Sequence, residues 1–190
     1  LLHVLASSTV DAQAKDRWTL AELTGAKEVV ASVALDTDGR AVTASHDGVA
    51  RIYALPENKL QRELRGHEGP LLAALFAANG TVVTAGTTDA TVQLWDSSTG
   101  KSRLKLGGHK GDLTGIGLDG SRTRLISSST DGTALVWNTE DGAQTAKLLG
   151  HGGPLNWAAL TVDGRRALTV SDDRRSEERR VGKECRLTCR

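Results

Sequence analysis

Apolar residues along this 190-residue chain gather into short runs of five or six, and polar turn residues separate the runs at regular intervals. LLAALF (71–76), TVVTAG (81–86) and TVQLW (91–95) are continuous or nearly so, whereas SRLKL (102–106) alternates. Runs of this length and composition, bounded by Gly, Asp and Asn, predict β-strands. Asp38-Gly39, Asn79-Gly80 and Asp163-Gly164 stand between the first and second strand of successive units, where a tight hairpin needs residues that tolerate φ > 0. Asp47-Gly48 and Asp131-Gly132 serve the second hairpin, and SSTG (97–100) the third. Each unit therefore makes four antiparallel strands, and the chain is all-β.

The units obey one ruler. Gly66-His67, Gly108-His109 and Gly150-His151 recur every 42 residues, as do Asp47, Asp89, Asp131 and Asp173, and as do Tyr53, Trp95 and Trp137. A fixed period of 20–50 residues marks a repeat architecture. Three independent residue types on one period make this far more specific than any lone dipeptide.

The stretches GHEGPLLAALFAANGTVVTAGTTDATVQLWD and GHKGDLTGIGLDGSRTRLISSSTDGTALVWN carry a Gly-His before the first strand, a Ser/Thr-x-Asp between the second and third, and a Trp closing the third. With these residues the chain, from 25 to 174, resembles the WD-repeat β-propeller family. The resemblance implies four-stranded blades standing radially round a channel. It gives repeat one at 25–66, repeat two at 67–108, repeat three at 109–150 and a truncated fourth at 151–174. Residues 1–24 become the remnant of a preceding blade, since RWTLAEL matches QRELRG and SRLKLG in position. About three and a half blades form an open arc, short of the four to eight that closure takes, so other blades of a parent propeller are expected outside this chain.

The same resemblance implies a hydrogen-bonded tetrad in each repeat: His67, Thr87, Asp89 and Trp95 in repeat two, and His109, Ser129, Asp131 and Trp137 in repeat three. The residue types suit burial, because an indole N–H can donate to a hydroxyl, the hydroxyl to an imidazole, and the imidazole to a carboxylate. Repeat one departs, with Ala26 in place of His and Tyr53 in place of Trp, leaving Ser45 and Asp47. It reads as the softest complete blade, and Asp47, with no His to orient, is expected to cost less to replace than Asp131. Repeat four keeps His151, Ser171 and Asp173, with Arg179 where Trp is due.

Charge isolates the C-terminal end. Of 24 basic and 23 acidic residues, six and three lie in the last sixteen, leaving a body of 18 and 20. A body with a slight acidic excess and no basic stripe offers nothing to a phosphate backbone, so nucleic-acid binding is not expected. The tail RSEERRVGKECRLTCR holds both cysteines, too few for a structural zinc site. Its first twelve residues resemble one translated frame of a common sequencing-library adapter. Residues 175–190 thus read as non-native and are expected to pack poorly. At the other end, LLHVLASSTVDAQA is apolar and contains an AQA, but no basic residue precedes it and no Met starts it. That pattern reads as a start in mid-protein rather than a secretion signal, which favours a cytoplasmic location. No apolar run approaches the roughly 18 residues of a membrane span, so no membrane partner is expected.

Catalytic readings fail on spacing. His67, His109 and His151 occupy equivalent places in different blades and cannot converge on one metal ion. Ser45-His46-Asp47 holds triad residue types but reads as a hairpin turn, since adjacent side chains cannot adopt nucleophile, base and orienter geometry. No phosphate-binding loop is present. Asp172-Asp173 suggests calcium, but Asp173 already belongs to a tetrad. Trp157 reads as packing or inter-blade surface rather than a ligand platform. The expectation is a scaffold for protein or peptide partners, with no catalytic residue, metal or cofactor; the alternative is a regulatory or sensor segment of a larger bacterial signalling protein, such as a kinase or ATPase fusion, and behind it an enzymatic propeller, which would require several inward-facing carboxylates or His at matching strand positions. Partner contacts are expected at the channel mouth, from the turn residues His46, Thr88, Thr130 and Asp172 and the first-strand residues Ala31, Leu72, Thr114 and Asn156.

Overall fold

A computed structural model describes residues 3–6, 19–55 and 57–181, without the side chains of 3–6 and 19–21. Among the described residues all regular elements are strands. β1 (His3–Ala6) pairs with β2 (Thr19–Glu22) in a two-stranded ribbon. Three four-stranded antiparallel sheets follow in meander order. They are β3 (Val30–Leu35), β4 (Arg40–Ser45), β5 (Val49–Ala54) and β6 (Lys59–Arg65); β7 (Leu71–Phe76), β8 (Thr81–Gly86), β9 (Val92–Asp96) and β10 (Ser102–Leu106); and β11 (Leu113–Leu118), β12 (Arg124–Ser129), β13 (Ala134–Asn138) and β14 (Gln144–Leu148). The last sheet has three strands: β15 (Leu155–Leu160), β16 (Arg166–Ser171) and β17 (Ser176–Arg180). These four sheets are the blades of an unclosed partial propeller, as the repeat predicts.

The turn residues explain the meander. Asn79 and Gly80 both take positive φ, 55° and 68°, the pair of left-handed conformations that a two-residue hairpin matched to strand twist requires. Gly48 and Gly132 stand at 77° and 79° in the second hairpin of their blades.

Blades stack by repeating one set of contacts. Val42, Ala44, Ala50, Ile52 and Leu64 on one blade meet Leu71, Ala74, Phe76, Val82 and Trp95 on the next. The same positions recur one repeat later, where Val83, Ala85, Val92 and Leu94 meet Leu113, Ile116, Leu125 and Trp137. The second and third strands are therefore buried on both faces, which is why their sequences are continuous apolar runs. The outer strand of each blade has only one inner neighbour and is mostly exposed; KLQRELR (59–65) carries the charges that blunt a sheet edge.

One expectation needs correction. Ser176–Arg180 do not pack loosely: they form β17, paired with β16 in the register of the other blades, Ala167 opposite Arg179 as Leu125 is opposite Trp137. Val181 packs against the Ile126, Leu148 and Leu155 cluster. The chemistry of this strand nonetheless departs from its counterparts. Ser176, Glu177, Glu178, Arg179 and Arg180 stand where β13 has Ala134, Leu135, Val136, Trp137 and Asn138, with Glu177 pairing with Arg179 and Glu178 with Arg166. Backbone pairing, the cross-strand Arg166–Glu178 ion pair and the packing of Val181 hold the strand in register here. Leu187, Cys185 and Cys189, and residues 7–18 of the expected preceding blade, lie outside the described residues.

Candidate functional site: the hydrogen-bonded core of each blade and the rim it positions

In repeat two, Asp89 Oδ2 lies 2.7 Å from His67 Nδ1, His67 Nε2 lies 2.7 Å from Thr84 Oγ1, and Trp95 Nε1 donates to the same oxygen at 2.7 Å. Repeat three reproduces the chain with Asp131, His109, Ser127 and Trp137 at 3.3, 2.8 and 3.0 Å. Repeat four keeps Asp173, His151 and Thr169 at 2.8 and 2.9 Å, without an indole. The hydroxyl has one proton. The ionised carboxylate can only accept, so Nδ1 carries the proton of a neutral imidazole, and bare Nε2 accepts from the hydroxyl, which itself accepts from the indole N–H. The network thus joins the loop leading into a blade to that blade's second and third strands.

The hydroxyls are not the expected ones. Thr84 and Ser127 take the role assigned to Thr87 and Ser129, and Thr169 that assigned to Ser171. Strand geometry gives the reason: Trp137 lies opposite Leu125, so Ser127 is two residues along the same face and Ser129 four, about 7 Å against about 14 Å. The indole reaches only the nearer. Ser129 instead donates to the Gly111 carbonyl at 2.9 Å and accepts from the Asp131 N–H at 3.1 Å. Ser171 bonds the Gly153 and Pro154 carbonyls and the Asp173 N–H, and Ser45 the Glu28 carbonyl and the Asp47 N–H. They pin the second hairpin to the lead-in loop. Thr87 lies past the end of β8 and contributes only backbone, its N–H to Pro70 and its carbonyl to Leu113. A Ser or Thr two residues beyond the one opposite Trp was the signal available, but the run Ser127-Ser128-Ser129 hides it.

Repeat one solves the same problem with different chemistry. Arg51 of β5 is buried, with a side chain 1% exposed, and grips Asp47 through Nη1–Oδ1 at 3.2 Å and Nη2–Oδ2 at 2.8 Å. Its Nε donates to Glu63 at 3.2 Å, and the Tyr53 hydroxyl donates to the Thr24 carbonyl at 2.8 Å. Burial alone would raise the Asp47 pKa, but the Arg51 hydrogen bonds and the Lys27 and Val49 N–H groups outweigh it and lower it to about 2. Sequence reasoning missed Arg51 because it looked for a substitute at position 26, on the loop, rather than on the third strand. With no His to orient, Asp47 instead holds buried Arg51, so its loss is expected to cost more than that of Asp131 rather than less.

The proposed rim residues share one backbone device. In each blade the register between first and second strand slips by one residue: Val30 and Ser32 lie opposite Ser45 and Ala44, Leu71 and Ala73 opposite Gly86 and Ala85, Leu113 and Gly115 opposite Ser129 and Ser128, Leu155 and Trp157 opposite Ser171 and Val170. The extra residues are Ala31, Leu72, Thr114 and Asn156. A bulge re-aims the side chain of its unpaired residue, and here it does so once per blade. The turn residues His46, Thr88, Thr130 and Asp172 are all exposed. Thr88 and Thr130 lean over Gly69 and Gly111, where their hydroxyls leave no room for a Cβ. In blade four the two sets meet, Asn156 Nδ2 donating to Asp172 Oδ1 at 2.7 Å. Among the described residues, no group of three or more His, Cys, Asp or Glu is placed to hold a metal ion.

Two outcomes follow from the buried networks. Asp47→Ala strands a buried guanidinium and should cost about 3–5 kcal/mol, against about 1–3 kcal/mol for Asp131→Ala, which strands a neutral imidazole and a few N–H groups. Denaturant unfolding of the two variants gives the order; a larger loss at Asp131 contradicts the Arg51 assignment. Burial also lowers the pKa of His67 and His109, outweighing the attraction of Asp89 and Asp131 and reinforced by Lys105 and Lys147. Below about pH 6.5 the unfolded chain then binds protons that the folded chain refuses. Stability should be present above that pH and fall below it. The His67→Gln/His109→Gln double variant should show a flatter denaturant midpoint between pH 8 and pH 5.5, and an unchanged slope contradicts the account.

A family model described as "WD domain, G-beta repeat" matches residues 17–54, 58–96 and 100–138, more than half of the chain. The three segments end at Ala54, Asp96 and Asn138, the positions just after Tyr53, Trp95 and Trp137, and so follow the 42-residue period of the blades. The chain belongs to the WD-repeat family, whose repeats generally serve as non-enzymatic scaffolds for protein–protein interaction.

Proposed function

We propose that this chain is a protein-interaction scaffold whose partner-binding surface is the channel-mouth rim: Ala31, Leu72, Thr114 and Asn156 on the bulges, with His46, Thr88, Thr130 and Asp172 on the neighbouring turns. The observation that carries the reading is the bulge, repeated at the same place in four blades, which sets one unpaired residue per blade along a common edge. Residues under structural constraint recur from blade to blade, as Asp47, Asp89, Asp131 and Asp173 do. The rim residues instead range over apolar, hydroxyl, amide, imidazole and carboxylate groups. A varied surface on a rigid, repeated frame is the usual carrier of recognition.

The competing surface is the opposite mouth, where Leu35, Leu75, Phe76 and Leu118 line a cleft of about 360 Å³. The test uses a partner recovered with the intact protein. The triple change His46→Glu, Thr88→Lys and Thr130→Lys should weaken that partner roughly ten-fold or more, the scale of one hot-spot loss, while Leu35→Ser at the opposite mouth leaves it bound. Unchanged affinity of the triple variant, together with release by Leu35→Ser, places the partner on the other face and overturns the proposal.

A further inference from the structure

Trp157 is the one large aromatic side chain among the described residues that stays half exposed, at 50%. It sits in the first strand of blade four, next to the bulge residue Asn156, where the other blades have Ser32, Ala73 and Gly115. Its ring does not hang off the free side of the last blade. Ring atoms Cε3 and Cζ3 occupy the space that a Cβ on Gly115 would need, so the ring reaches the inner strand of blade three. This contact accounts for the packing role that the sequence suggests. The remaining exposed half needs another account.

Asn156, the residue before Trp157 in the chain, holds a carboxylate in place. Asp172 is exposed and takes the Asn156 amide at 2.7 Å, and its own N–H bonds the Pro154 carbonyl. None of the ion pairs among the described residues uses it, because Arg175 is drawn to Asp173 and Glu177. A half-exposed indole and an oriented carboxylate that enters none of these ion pairs, linked through Asn156, are together complementary to a cation. A guanidinium fits better than an ammonium, since its plane stacks on the ring while its N–H fork reaches the carboxylate.

We propose that Trp157 and Asp172 form a subsite for one arginine side chain of a partner polypeptide, a proposal that rests on the channel-mouth rim being the partner-binding surface. Asn156 acts as a positioning residue that fixes the carboxylate. Gly115 gives the ring its seat, and Thr114, the neighbouring bulge residue of blade three, is held aside by its hydrogen bond to Ser128 at 3.0 Å.

The test titrates the full chain with the capped tripeptide acetyl-Gly-Arg-Gly-amide and with its citrulline counterpart, which keeps the shape and loses the charge. The Trp157 indole N–H resonance, assigned from its disappearance in Trp157→Phe, reports binding. The arginine peptide should shift it saturably in the millimolar range, and the citrulline peptide should bind about five-fold more weakly or worse, the weight of one exposed cation–π and carboxylate pair. Asp172→Asn should weaken the arginine peptide by a similar factor while the indole signals of Trp95 and Trp137 stay in place. Equal affinity for the two peptides, indifference to Asp172→Asn, or no saturable shift overturns the subsite. If the peptide fails while the triple rim variant still releases a partner, the subsite falls and the rim stands; the reverse pattern removes the rim and keeps the subsite.

Discussion

In blades two to four a hydroxyl on the second strand is sealed beneath the lead-in loop, and the geometry of these repeats follows from how that hydroxyl is satisfied. Thr84 and Ser127 each hold one proton between an indole donor and an imidazole acceptor. Leaving any member of such a buried chain unpaired costs about 1–3 kcal/mol, so loop and hairpin are fixed together or not at all. Once the loop is fixed, the point where the first strand enters the blade is fixed too. The bulge then falls at the same residue every time, leaving one unpaired residue per blade at the start of the first strand. Packing between blades repeats identical positions and gives the arc its bulk, but the polar chain sets the register in which that packing operates.

Blade one shows that the constraint is the buried carboxylate rather than the histidine. Asp47 keeps its place, and Arg51 reaches it from the third strand instead of an imidazole from the loop. The change is compensated across the sheet. Glu63 faces Arg51 where Lys105 faces Gln93 and Lys147 faces Leu135, so the charge brought in on one strand is balanced on the next. A fixed cation makes this blade indifferent to pH near neutrality, whereas burial of His67 and His109 ties their blades to it.

The fold was legible because its signals are periodic and local. Strand runs, hairpin glycines and the 42-residue ruler each depend on residues close in sequence, and all agree. The site was half legible. His67, Asp89 and Trp95 stand out by type and period, but Thr84 depends on a cross-strand diagonal, and sequence offers Thr87 as readily. Arg51 replaces His at a different position on a different element, which no column-by-column comparison of repeats can reveal. The rim residues were placed by family resemblance, and the bulges that aim them are invisible in sequence because a slipped register leaves no composition behind. β17 shows the opposite limit: a strand with none of the expected apolar residues still pairs, because backbone hydrogen bonds do not read side chains.

The assignment of the sealed hydroxyl carries the rest, and paired Thr→Val substitutions test it with little change of shape. Thr84→Val should lower the unfolding free energy by about 1–3 kcal/mol and speed hydrogen exchange at the Trp95 indole N–H, while Thr87→Val should stay within about 0.5 kcal/mol of the parent, as surface changes do, with indole exchange unaltered. Loss of stability and of indole protection in Thr87→Val, with Thr84→Val silent, would contradict the account.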